Sequence, residues 1–258
     1  MLFKCICGFL TPTEGKITVD GKQIGKDVDF PESIGLIIEH PGFIPTKSQG
    51  LKTLRLLAGI RRCVTDEQIK EVIRKVGLDP SSKKAVVKYS MGMKQRLGIA
   101  QAIMEDPDLL ILDEPFSGLD PLNTDILKKV IFDEQRRGAT IIFSDHSMSN
   151  VSELCDDVVM INDGRIVLNG PIQQVRDSYG LTRIIVRCAL STEELRAVPH
   201  VLSADKRKDG GVELRIEDEK YGSEIFNFIS KGSYVRTFDH EPPTLDEIFK
   251  EKAGEKNE

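Results

Sequence analysis

Apolar residues in this chain fall into short runs separated by longer mixed stretches. Leu109-Leu110-Ile111-Leu112 is four apolar residues in a row, too short for a typical helix, and reads as a buried strand. Ile34 to Ile38 and Ala139 to Ser144 read the same way. Between and around them, Leu51–Ile60, Thr65–Val76, Ser90–Met104 and Thr124–Arg137 read as helices, with Thr65 as a cap. Met1 to Leu10 reads as the end of a helix, and Gly15 to Gly21 as a hairpin strand between turn glycines. A short helix, Met148–Cys155, precedes a hairpin of Val158–Ile161 and Arg165–Leu168 across Asn162-Asp163-Gly164. Strands alternating with helices predict an α/β fold with a mixed, largely parallel sheet.

Beyond Tyr179 the pattern changes. Strands at Arg183–Cys188, Val201–Arg207, Gly211–Ile216 and Tyr234–Phe238 alternate with helices at Ser191–Val198 and Gly222–Ser230. This β-α-β-β-α-β order is similar to a ferredoxin-like α+β fold. Thr244 to Glu247 is a capping box that opens a last helix, Leu245 to Lys252. The expected domains are therefore 1–178 and 179–252, with a charged, disordered tail at 253–258.

Composition narrows the classes. A chain of 258 residues with 40% hydrophobic content can bury a core in one medium and one small domain. The formal charge of −5 gives no reason to expect nucleic acid as a partner. Five scattered cysteines without a Cys-x-x-Cys pair fit reduced thiols in the cytosol, with Cys5 and Cys7 as packing residues. No apolar run approaches the ~18 residues of a membrane span, and no signal peptide is evident. If the chain serves a membrane process, a separate protein must cross the bilayer.

Several residues could carry chemistry. The strand at 109–112 ends in Asp113 and Glu114. Asp113 is placed to hold Mg²⁺ through its water shell, and Glu114 to polarise an attacking water. The plain alternative is a strand that ends in solvated acids. Ser90 and Gly92 sit at a helix start whose amides suit a phosphate, although Ser90 also fits as an ordinary cap. Glu39 follows a buried strand, where its carboxylate can approach a hard cation or serve as a loop acid. His146 lies just beyond Ser144-Asp145 at a strand's carboxyl end, where α/β proteins place ligands. Asp120 precedes Pro121 and fits as a helix cap. His40, His200 and His240 have no such context.

Taken together, Tyr89-Ser90-Met91-Gly92-Met93-Lys94-Gln95-Arg96-Leu97, the run from Leu109 to Asp120, and Ser144-Asp145-His146 resemble the ATP-binding subunits of ABC transporters. The likeness runs from Met1 to about residue 170. It implies an ABC-type nucleotide-binding domain that uses ATP and Mg²⁺, dimerises, and works with an integral membrane permease at the cytoplasmic face of the membrane. In that family Asp113 matches the Walker B aspartate and Glu114 the catalytic glutamate. Ser90, Met91, Gly92 and Met93 match the signature loop, which meets nucleotide held by the other subunit. Ser117 to Asp120 match the D-loop, whose aspartate touches that subunit. His146 matches the switch histidine, which reaches the γ-phosphate. Glu39 stands where the family usually carries the Q-loop glutamine, within reach of Mg²⁺. Met91 and Met93 also depart from the usual residues, and the variant resembles the subgroup that exports bacitracin-like and lantibiotic peptides. The C-terminal region is similar to the extension of many bacterial exporter subunits, which ends in a Leu-Asp-Glu-Ile-Phe type helix.

One family element does not occur in the sequence. A P-loop reads Gly, four residues, then Gly-Lys-Ser/Thr. Gly15-Lys16, Gly21-Lys22 and Gly25-Lys26 are followed by Ile17, Gln23 and Asp27, and none has glycine at the earlier position. Met1 to Leu10 resembles the helix after the P-loop, so the expectation is an N-terminally truncated cassette that is inactive alone. A non-catalytic partner, lending its signature loop to another subunit's P-loop, is the competing expectation. A soluble ABC protein of DNA repair or translation fits less well, for want of long insertions.

Overall fold

The central strand of the N-terminal unit is apolar on both faces, and in a computed structural model both faces are covered. The structure describes residues 1–39 and 47–254; His40 and the tail residues 255–258 lie outside them. Helix α1 (Leu2–Ile6) and a two-residue hairpin, β1 (Thr18–Val19) with β2 (Lys22–Gln23), come first. Then follow β3 (Ile34–Ile37), α2 (Gly50–Arg61), α3 (Asp66–Lys75), α4 (Met91–Ile103), β4 (Leu109–Asp113), α5 (Pro121–Arg137) and β5 (Thr140–Ser144). β4 lies between β3 and β5 and pairs with both in parallel, Ile37 opposite Leu112 and Asp113 opposite Ser144. Parallel strands are buried on both sides; Ile111 and Leu112 are fully buried, and Cys7 and Leu109 pack in the same cluster as Ile111. Thr65 and Gln68 form a reciprocal capping box at the start of α3. α5 begins at Pro121, three residues earlier than its periodicity suggests. The Asp120 side chain accepts from Asn123 N–H, and proline at the first helical position costs no hydrogen bond.

By its internal contacts the chain divides after His146 into Met1–His146 and Ser147–Glu258. The second unit opens with α6 (Met148–Leu154) and the antiparallel hairpin β6 (Asp157–Asn162) and β7 (Arg165–Pro171). Helix α7 (Ile172–Asp177) is not apparent from the sequence pattern, being one short turn and a half with Ile172 and Val175 inward. Next come β8 (Arg183–Cys188), α8 (Thr192–Arg196), β9 (Val201–Lys206), β10 (Val212–Ile216), α9 (Gly222–Gly232), β11 (Val235–Glu241) and α10 (Leu245–Gly254). The last helix takes in Ala253 and Gly254, which were expected in the tail. The four strands lie in the order β11-β8-β10-β9, every pair antiparallel, as a ferredoxin-like fold requires.

Alternation along the strands explains the two faces of that sheet. Ile184, Val186, Ala204 and Leu214 turn to one side and share a core with Leu195, Ile225 and Ile229. Arg183 turns to the other, where its guanidinium donates to Glu241 at 2.8 Å and Glu213 at 2.9 Å. α6 and α7 belong with this unit because α10 lies beside α6 and Arg176 Nε–H donates to Pro243 O at 3.3 Å.

Candidate functional site

Parallel pairing puts the carboxyl ends of β3, β4 and β5 along one edge. Glu39 follows β3, Asp113 and Glu114 close β4, and Ser144 closes β5 with His146 two residues on. The backbone ties these ends together. Glu39 N–H donates to Asp113 Oδ2 at 3.3 Å, and the Ser144 hydroxyl donates to Asp113 Oδ1 at 2.5 Å. Glu114 N–H donates to both Ser144 Oγ at 3.0 Å and Ser144 O at 3.2 Å. Glu39 and Glu114 both hold positive φ, at 65° and 47°. Non-glycine residues take that left-handed conformation rarely and against a steric cost, and it clusters at functional sites. Glu114 is exposed and Asp113 half-buried.

Lys4 of α1 reaches the same edge. Its ammonium stands 2.5 Å from Glu39 Oε1. Both partners are partly exposed, so this pair adds little to stability and acts by placing positive charge at the edge. The His146 ring is largely exposed, with its Nδ1 4.0 Å from Asp145 Oδ1, beyond hydrogen-bond length.

The helix start expected to bind phosphate forms as predicted. Ser90 is the N-cap of α4 and accepts from Met93 N–H at 3.2 Å, so its cap role is real. Met91 is exposed; Gly92 and Met93 are half-buried. The loop after Glu114 packs against this start. A Cβ on Gly92 would stand 3.0 Å from Leu119, and one on Gly118, at φ 74°, would stand 3.1 Å from Met91. One helical turn along, buried Gln95 donates Nε2–H to Glu114 O at 3.3 Å. Asp120 caps α5, and the Asn123 backbone and side-chain N–H groups hold its carboxyl below the usual carboxylate range. Sequence reasoning therefore named the acids and the helix start but missed Ser144, Gln95 and Lys4 as their supports. Ser144 alone had a signal, its place directly before Asp145-His146.

The donor set suits a hard divalent cation. Asp113 and Glu39 offer carboxylate oxygens and Ser144 a hydroxyl, which are oxygen ligands of the kind Mg²⁺ takes. Among the described residues no group of three or more His, Cys, Asp and Glu forms a closed cage. Mg²⁺ held by one or two carboxylates together with phosphates needs none. Among the described residues, no helix is long and apolar enough to cross a membrane.

A parallel sheet with acids and a histidine along its carboxyl edge, beside a capped helix start, is the arrangement in which α/β proteins place ligands. Residues 1–117 match the ABC transporter family, and residues 170–253 match the C-terminal domain of ATP-binding proteins of the DrrA1-3 type. An ABC transporter ATP-binding protein of Alkalihalophilus pseudofirmus, itself uncharacterized, is 34% identical over 98% of this chain and 94% of its own length. A fluoroquinolones export ATP-binding protein of Mycobacterium tuberculosis is 32% identical over 97% of this chain and 78% of its own. The bacitracin transport ATP-binding protein of Bacillus licheniformis is more distant in coverage, 36% identical over 67% of this chain and 57% of its own. Among solved structures, an ATP-binding subunit of an ABC transporter superposes with a TM-score of 0.61 at 27% identity, over 75% of this chain and 79% of that one. A dimeric bacterial ABC transporter cassette, at a TM-score of 0.59 and 18% identity over 66% of this chain and 79% of that one, shows the shared fold. The chain belongs to the ATP-binding subunits of ABC transporters.

Proposed function

We propose that the chain is the energy-coupling subunit of an exporter of drugs or peptide antibiotics, and that it needs a P-loop that its own 258 residues do not supply to turn over ATP. The observation that carries the reading is the carboxyl edge itself. Three adjacent strands place Glu39, Asp113, Glu114 and Ser144 within one hydrogen-bonded group. Export is supported by the fluoroquinolones export relative, and an antibiotic cargo by that relative together with the bacitracin transport relative. Association with a permease and peripheral location at the membrane come with the family.

Each side chain then has a role. Mg²⁺ and ATP, when bound, supply the phosphoryl group and neutralise its charge. Asp113 and Glu39 would hold the metal, through its water shell. Glu114, exposed and carried on a strained backbone, takes the proton side of the attacking water. His146 offers a hydrogen bond on the phosphate side. Ser90 to Met93 present a helix start that serves a nucleotide held by a second subunit, with Asp120 at the same interface.

A second reading keeps the same dimer but makes this chain a non-catalytic partner. The sequence favours it in one respect, because no Gly-Lys pair in the chain is followed by serine or threonine.

The test uses the protein extended at its N-terminus by a P-loop-bearing segment of a relative. Carrying Glu114→Gln, this form should bind Mg-ATP without hydrolysing it and dimerise, since trapped nucleotide stabilises the associated state. Light scattering after size exclusion reads the mass with and without Mg-ATP. A monomer at saturating nucleotide rejects the sandwich. A dimer that survives Ser90→Arg rejects the signature-loop role. The unextended chain should show no Mg-ATP turnover; turnover that Glu114→Gln abolishes would reject the need for an outside P-loop.

A further inference from the structure

We propose that Ser144 is a positioning residue for the two acids, fixing both the direction of Asp113 and the turn on which Glu114 stands. Its hydroxyl is the only atom in the described edge that bonds both residues. Oγ donates its proton to Asp113 Oδ1 at 2.5 Å and, with a lone pair, accepts Glu114 N–H at 3.0 Å. A hydroxyl has one donor and two acceptor positions, so both bonds form at once. A single side chain thus links the metal-holding acid to the water-polarising one.

The need for such a link follows from the backbone. β4 and β5 are in register to their last pair, Asp113 opposite Ser144. One residue later the β4 chain leaves the ladder, with Glu114 at φ 47°. A glutamate does not hold that conformation by its own preference. Three bonds over-determine it: Glu114 N–H to Ser144 Oγ and to Ser144 O, and Gln95 Nε2–H to Glu114 O. The Ser144 hydroxyl strengthens the first of these through its charged partner, since a hydroxyl that donates to a carboxylate becomes a better acceptor. Alanine would leave the main-chain bond and remove the other link. Threonine keeps the hydroxyl and suits a strand. The consequence for catalysis rests on the ATPase reading; the link between the acids does not.

Two measurements separate the two claims. In the full chain, amide hydrogen exchange at Glu114 is followed by NMR in Ser144→Ala and Ser144→Thr, with the Ile111 amide as the core reference. Ser144→Ala should speed Glu114 exchange about tenfold while Ile111 is unchanged, and Ser144→Thr should restore the original rate. Unchanged Glu114 exchange in Ser144→Ala overturns the proposal. Equal acceleration at both amides also overturns it, since it marks a loss of global stability and no local link. In the form extended by a P-loop, Ser144→Ala should lower kcat about 10- to 100-fold with little change in KM, rescued by threonine. Selective exchange with unaltered kcat would overturn the catalytic consequence. Hydrolysis that persists in Glu114→Gln would instead reject the water-polarising role of Glu114 and leave the positioning role standing.

Discussion

Gly35 lies within β3, four residues before Glu39, and helix α4 crosses directly over it. A Cβ built on Gly35 would stand 2.0 Å from the carbonyl oxygen of Ala102 and 2.9 Å from both Ala102 C and Pro107 Cγ. A relaxed carbon–oxygen contact is wider by more than 1 Å, and the obstacle is main chain, which cannot swing away. Gly35→Ala therefore forces β3 and α4 apart. That separation is felt across the layer formed by Ile99, Ala102 and Ile103, all nearly free of solvent. A gap of 0.5–1 Å forfeits roughly a quarter to a half of the dispersion well of each facing contact. With overpacking strain of about 1–3 kcal/mol added, the total cost should be about 3–5 kcal/mol. Against a native stability of about 5–15 kcal/mol, such a loss brings the N-terminal unit near its limit. Gly59 supplies the control. It sits inside α2 with no atom within 4 Å of its would-be Cβ. There the same substitution should stabilise by about 0.5–1 kcal/mol through helix propensity alone. Urea unfolding read by hydrogen-exchange mass spectrometry of α4 peptides isolates the relevant unit. A cost below about 1 kcal/mol for Gly35→Ala would show that β3 and α4 do not approach this closely, and would refute the reasoning.

Thiol labelling at pH 8 should modify exposed Cys63 first and leave Cys7 unmodified until the protein unfolds, as mapped by peptide mass spectrometry. Burial pushes the Cys7 thiol up to about 11. Its contribution to stability is therefore intact at neutral pH and is lost as pH rises from its ordinary value of about 9 toward about 11; in Cys7→Ala that alkaline loss should shrink. Asp120 behaves oppositely. With its carboxyl held low by Asn123, the cap on α5 is complete above the ordinary aspartate range and weakens as pH falls through the lower, folded value. Asp120→Ser should keep the cap and remove that acid dependence from the first-turn amides, read by hydrogen exchange. Residues 179–254 expressed alone should give a dispersed amide spectrum, because the cluster around Ile184, Leu214 and Ile225 is built within that segment; a collapsed spectrum would count against an independent domain.

Much of the fold was legible because its signals are local. Four apolar residues at 109–112 must be covered on both sides, and they are. Asn162-Asp163-Gly164 supplies positive φ at Asp163 and Gly164, and a hairpin forms there. The C-terminal capping box forms with Thr244 N–H donating to Glu247 at 2.7 Å. Errors gathered where local pattern and stereochemistry compete. The start of α5 moved upstream because a proline that ends a periodic reading is also the best first residue of a helix. α7 escaped notice because six residues carry too little period. The expectation that residues up to 178 form one unit rested on sequence order, which cannot register that α10 returns to lie beside α6.

The site divides along the same line. Asp113, Glu114, Glu39, His146, Ser90 and Asp120 could be named because each stands next to a run that fixes its neighbourhood: the end of a strand or the start of a helix. Their supports could not, because each acts across a sequence gap. Lys4 pairs with Glu39 thirty-five positions away, Gln95 with Glu114 nineteen away, and Ser144 with Asp113 thirty-one away. A parallel sheet makes such gaps unavoidable, since adjacent strands must be separated by a crossover. The acids are therefore read from chain order and their orientation from topology. The strained backbone at Glu114 shows why both are needed, since the glutamate proposed to polarise water is held in its left-handed turn by a serine from β5 and a glutamine from α4.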